Sequence, residues 1–122
     1  MSSSEAIPAD EKKIYGLLSL CKKAGKCKSG ELQLLESIKA EEAKLVLIAQ
    51  DASENSKKRL RDKCDYRRIP WRMFGDREKL GEAIGVGERA GVAVTDAGFA
   101  KAVLERMDAA RKGESNGKDQ NF

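Results

Sequence analysis

Residues 43–51 read AKLVLIAQD, and the five consecutive apolar side chains from Leu45 to Ala49 decide the architecture. The run is too short for a buried helix and long enough for a strand. Because it does not alternate with polar residues, that strand is covered on both faces. Such a sheet needs helices on either side of it in sequence, and the flanking segments supply them.

Upstream, Ile14, Leu17, Leu18 and Cys21 recur at spacings of three and four, which predicts a helix from an Asp10 cap to about Ala24 with Gly25 as its stop. Ser29-Gly30 opens a second helix through about Ala40, with Leu34, Leu35 and Ile38 on one face and Leu32 toward its edge. Downstream, Asp51 or Ser53 caps a third helix to about Asp65, whose thin apolar face is Leu60 and Cys64. RRIPWRMF at 67–74 reads as a second strand, with Pro70, which cannot donate to a ladder, at an edge or an entry position rather than a central one.

Asp76 then caps a short helix with Leu80, Ala83 and Ile84 inward, ended by Gly85. After the loop VGERAG, GVAVT reads as a strand, and Phe99, Val103 and Met107 mark a last helix from about Ala97. Strand and helix alternate, which predicts an α/β sandwich with a small sheet between helical layers. The polar ends, residues 1–9 and 110–122, read as flexible tails around one domain at 10–109.

Composition narrows the chemistry. A chain of 122 residues suits a single core that buries roughly two-thirds of its unfolded surface. No stretch is long and apolar enough for a membrane span, and the N-terminus lacks a signal-peptide core, so a cytoplasmic protein without membrane attachment is expected. There is no histidine, and the three cysteines, Cys21, Cys27 and Cys64, have no CxxC spacing. A zinc set and the usual general base near neutral pH are therefore missing, and the thiols read as structural. Acidic pairs such as Glu41-Glu42 read as surface residues. GVGERAG at 85–91 matches the G-x-G-x-x-[GA] pattern of dinucleotide turns. That turn requires a strand before it and a helix after it, and here the order is reversed. No enzyme, metal or cofactor is expected.

The charge is segregated. Lys22, Lys23, Lys26 and Lys28 stand without an acid among them, and residues 57–72 carry eight cations against Asp62 and Asp65, so the rest of the chain is net acidic although the total is +4. A phosphate backbone rewards such clustering through counterion release, and a solvated helix face accounts for 57–72 equally well. The stretch GKCKSGELQ at 25–33 adds a geometric argument. A helix N-terminus leaves backbone N–H groups free and carries partial positive charge, so it is a phosphate site when lysines flank it. Gly30 would let a backbone approach, and Ser29 and Gln33 could add hydrogen bonds. The plain alternative is that Ser29 caps the helix and the lysines are solvated.

GKCKSGE, AKLVLIAQDAS followed by KK and DKC, LGEAIG, and RAGVAVTDAGFAK occur in an order and spacing that carry a resemblance. Over roughly residues 10 to 108 the chain resembles the L-seven-Ae / L-thirty-e superfamily of kink-turn RNA-binding ribosomal proteins, most closely its small bacterial ribosome-associated members. The resemblance implies a three-layer α-β-α sandwich with a four-stranded mixed sheet, whose extra short strand falls near Cys27 and Lys28. It implies a structured RNA partner, a kink-turn in ribosomal RNA or a riboswitch, a place on the ribosome, and a monomer.

By position, the implied RNA-binding residues are Lys28, Ser29, Gly30, Glu31, Leu32 and Gln33 at the second helix, with Lys26 on its approach, and Val86, Gly87, Glu88, Arg89 and Ala90 in the loop before the last strand. In the family, the helix end reads tandem sheared G·A pairs and the loop covers an extruded nucleotide. Many kink-turn binders carry Gly-Thr-Asn-Glu and a Lys three places later. Here Glu31, Leu32 and Gln33 follow Gly30, and Glu36 stands at the Lys position. Leu32 cannot hydrogen-bond a guanine edge, which keeps a second expectation open: a protein-interaction module of the ribosome or the transcription and translation machinery that no longer reads bases.

Overall fold

The structure, a computed structural model, describes residues 9–114. Among these, the chain forms α1 (Ala9–Lys23), β1 (Cys27–Ser29), α2 (Glu31–Lys39), β2 (Leu45–Ile48), α3 (Glu54–Arg67), β3 (Trp71–Met73), α4 (Arg77–Ala83), β4 (Gly91–Val94) and α5 (Ala97–Glu114). The four strands make one mixed sheet in the order β1-β4-β2-β3. Both neighbours of β4 run antiparallel to it, whereas β2 and β3 are parallel.

The apolar run becomes β2, and every residue from Leu45 to Ala49 is fully buried. Its side chains are shared between two cores. Leu45 and Leu47 pack with Ile14, Leu18, Leu80 and Val103 under α1, α4 and α5, while Val46 and Ile48 pack with Leu34, Ile38, Leu60 and Cys64 under α2 and α3. The period of two along a strand is what divides the cores. Pro70 precedes edge strand β3, its carbonyl accepting from Val46 N–H at 3.0 Å.

The caps correct two expectations. Asp10 does not cap α1; it lies inside the first turn and meets Arg106 of α5 at 3.3 Å. Ser29 does not cap α2, whose N-cap is Gly30 with no side-chain bond. The others follow local chemistry: Ser53, not Asp51, caps α3, and Asp76 caps α4 by accepting from Lys79 N–H at 2.8 Å. At the far end, α5 continues to Glu114, so 110–114 are helical; the expected tails otherwise lie outside the described residues. No described helix is long and apolar enough to cross a membrane.

The cysteines are free thiols, and burial pushes Cys21 and Cys64 up to about 12, with the neighbouring Cys27 and Asp65 respectively adding to it. They stay protonated at neutral pH, as small core residues do.

Two tests follow from this packing. Leu47→Ala opens a cavity in the larger core and is expected to cost about 3 kcal/mol in urea unfolding; a loss under about 1 kcal/mol would contradict the packing. The Lys79 amide, and then the Lys79 ammonium, hold the Asp76 carboxyl below its ordinary 3.8. A depressed folded value means that its stabilisation is present above the unfolded value and is lost as pH falls through the folded one. Asp76→Asn is therefore expected to lower the urea midpoint at pH 7 and to narrow the gap from wild type by pH 3.

Candidate functional site

The sheet order brings the two predicted segments together. Ser29 at the end of β1 stands opposite Val92 of β4, so the start of α2 and the loop entering β4 are neighbours. The contact is direct: Arg89 Nε donates to Ser29 Oγ at 3.1 Å. Gly30, Glu31, Glu88, Arg89 and Ala90 line one cleft of about 240 Å³, with Ser56 of α3 on its third side.

Gly30 has φ +82° and ψ 136°, a conformation that side chains disfavour, and no atom lies near where a Cβ would project. The first intrahelical bond of α2 is Leu34 N–H to Gly30 O at 2.9 Å, so the amides of Glu31, Leu32 and Gln33 have no intrahelical acceptor. α3 and α4 have side-chain caps, and Asp96 accepts from Phe99 N–H at the start of α5. The open end of α2 points its free donors and partial positive charge into the cleft.

The loop is built on α4. Arg77 N–H donates to Asp51 Oδ1 at 2.9 Å, Arg77 O accepts from Arg89 N–H at 3.1 Å, and the Arg77 guanidinium lies 3.7 Å from Asp51 and 3.9 Å from Glu88. Gly81 completes the support. Val86 N–H donates to its carbonyl at 2.9 Å, and a Cβ on Gly81 would stand only 2.0 Å from Gly87 O. Helix before the glycines and strand after them is the arrangement that rules out a dinucleotide turn. Arg89 uses one donor on Ser29 and one on Glu88 O at 3.0 Å, which leaves guanidinium N–H groups for a ligand.

The predicted residues do not all meet. Ser29, Gly30, Glu31, Glu88, Arg89 and Ala90 meet at the cleft; Gly87 seats the loop on α4, and the half-buried Val86 packs against the larger core. Leu32 is exposed on the first turn of α2, at 70%. Lys28 and Gln33 line a second groove of about 270 Å³ with Glu36, so Glu36 does not face the Gly30–Arg89 cleft. Lys26 is remote, ahead of β1 and bonded through its carbonyl to Thr95 N–H.

Sequence reading missed Ser56, Asp51, Arg77 and Gly81, none of which stands out by type or spacing. On α3, Lys57, Lys58, Arg59 and Arg67 each pair with a carboxylate, as a solvated helix face does, and Arg59 holds Glu31 at the cleft rim.

Residues 12–104 match the model of the ribosomal protein L7Ae/L30e/S12e/Gadd45 family. The chain belongs to that family. It is a member of a ribosomal-protein family and not an enzyme. Within the L7Ae/L30e relatives, it is 42% identical over 94 residues to the RNA-binding protein YlxQ of Bacillus subtilis (strain 168), covering 77% of this chain and 94% of that one. The solved structure of a protein of unknown function from Bacillus halodurans C superposes with TM-score 0.75 and 36% identity over 79% of this chain and 97% of that one. The Giardia lamblia 15.5kD RNA binding protein shares the L7Ae-type fold, with TM-score 0.69 and 20% identity over 85% and 89% of the two chains.

The support of the loop can be tested directly. Gly81→Ala drives a methyl group into Gly87 O and is expected to destabilise by about 1–3 kcal/mol, as overpacking does, with faster amide exchange concentrated in 86–90. Unchanged exchange there would refute the dependence on Gly81.

Proposed function

We propose that this protein binds structured RNA, most specifically a kink-turn or related internal loop in a ribosomal or regulatory RNA, and stabilises its bent form. The observation that carries the reading is the junction of the uncapped N-terminus of α2 with Arg89. Free amides, a helix dipole and a half-used guanidinium converge on one open cleft beside Gly30. That combination suits a phosphate or a base edge brought close to the backbone. The description of the Bacillus subtilis relative as an RNA-binding protein supports the polyanion class.

Roles divide within the site. The α2 amides hold a backbone phosphate, Lys28 in the neighbouring groove meets the next one along the strand, Arg89 reaches the displaced nucleotide or its phosphate, and Ser29 orients the Arg89 side chain. Glu31, paired to Arg59, and the apolar Leu32 give the helix end little direct base readout. Recognition therefore leans on the shape of the bent RNA. The same two residues favour the second reading, a protein-interaction module: an exposed leucine beside a neutralised carboxylate suits a protein partner. A partner captured on the cleft face and retained after nuclease treatment would support that reading.

Fluorescence binding to a folded kink-turn RNA tests the first reading. Arg89→Ala is expected to weaken binding roughly 10- to 100-fold, the scale of a hydrogen bond to a charged group, and Lys28→Gln to weaken it less. Lys57→Gln should change folded and unfolded RNA alike. Affinity should fall steeply with salt. A flat salt response, or equal effects of all three variants on both RNAs, would reject site-specific binding.

A further inference from the structure

The two ends of the sheet expose different chemistry. β1, β2 and β3 run in one direction and β4 against them, so the cleft end carries Ser29, Ile48 and Gly91, and the opposite end carries Cys27, Leu45 and Val94. Backbone bonds gather the chain at that opposite end: Thr95 N–H donates to Lys26 O at 2.8 Å and Lys44 N–H to Val94 O at 2.7 Å.

Five lysines surround this end. Lys22 and Lys23 are in the last turn of α1, Lys39 is in the last turn of α2, and Lys26 and Lys44 immediately precede β1 and β2. All five are exposed, and among the described residues none pairs with a carboxylate, whereas four of the six cations of α3 do. The acids nearby are largely engaged: Glu41 meets Arg67, and Asp96 caps α5, which leaves Glu42. Helix C-termini favour cations and account for Lys22, Lys23 and Lys39. Lys26 and Lys44, on the loops that enter the strands, add charge that no helix end requires.

We propose that this end of the sheet is a second nucleic-acid surface, which holds the phosphate backbone of an RNA duplex without reading its sequence. Lys26 and Lys44 enter strands that flank β4, about 10 Å apart at ordinary strand spacing. A set spread that widely, with the helix-terminal lysines around it, meets several phosphates of a duplex rather than one small anion. Mobile, fully hydrated lysines supply point charges without base discrimination. Because the cleft lies at the other end of the strands, one protein holds two RNA segments at once: a bent internal loop at the cleft and a plain stem at the lysines. The choice of RNA as the polyanion rests on the proposed function; the location of the surface does not.

The test uses the full chain, a plain 16-base-pair RNA duplex and a kink-turn RNA, both fluorescently labelled. Lys22→Gln/Lys26→Gln/Lys44→Gln is expected to weaken duplex binding at least tenfold and to flatten the dependence of log affinity on log salt by about 2–3. Arg89→Ala should leave duplex binding within twofold. Wild-type protein saturated with kink-turn RNA should recruit the duplex into a ternary complex that the triple variant does not form. Failure of wild type to bind the duplex, or duplex binding that is insensitive to the triple variant, overturns the proposal. Duplex binding through the lysines without any preference for kink-turn RNA leaves this surface standing and removes the cleft reading instead. All three substitutions are at exposed positions, and an unchanged thermal melt verifies that the variant is folded.

Discussion

The pairing of Ser29 with Val92 across β1 and β4 is the contact on which the cleft depends. β4 is inserted between β1 and β2, far from either in sequence, and this places the loop ahead of it against the turn that opens α2. Without that register, Arg89 and Gly30 would be distant points on the chain. With it, one side-chain bond from Arg89 to Ser29 joins the two halves of the site. The fully buried β2 and β4 hold the register, because a slip by one residue would exchange the contents of the two cores.

The loop side of the cleft is held by contacts located outside it. α4 meets the loop through Gly81, whose missing side chain admits Gly87 O, and through the Arg77 carbonyl, which holds the Arg89 amide. Asp51, in the turn after β2, anchors the first residue of α4. The positive end of α2 is left open while α3, α4 and α5 have their first-turn amides satisfied by Ser53, Asp76 and Asp96. The open donors therefore cost the fold one side-chain cap, and they are available to a ligand.

Much of the architecture was legible because apolar periodicity is a strong signal where burial is complete. Leu45 to Ala49 announced the central strand, and Leu60 with Cys64 announced the thin inner face of α3. The three-residue β1 is too short to carry a periodicity, and its place near Cys27 and Lys28 came through family resemblance alone. The site was legible in its two segments but not in its supports. Gly81 matters because of a backbone 2.0 Å from its absent Cβ, which no local pattern encodes. Ser29 has the side chain of a cap, yet the positive φ of Gly30 moves the helix start one residue on and frees the hydroxyl for Arg89. Charge counting along the chain was blind to space for a similar reason: the cations at 57–72 exceed the acids in sequence, but Glu31 and Glu41 of other segments pair with Arg59 and Arg67. Lys22, Lys23, Lys26, Lys39 and Lys44, at helix ends and strand starts at the far end of the sheet, have no such partners among the described residues.

The central claim is that the cleft recognises a bent internal loop rather than RNA in general. A gel shift with a standard kink-turn RNA and the same RNA with its tandem G·A pairs replaced by Watson–Crick pairs tests it most directly. The account predicts a discrete complex with the first at a protein concentration at least tenfold lower than with the second; equal affinity for both would contradict it.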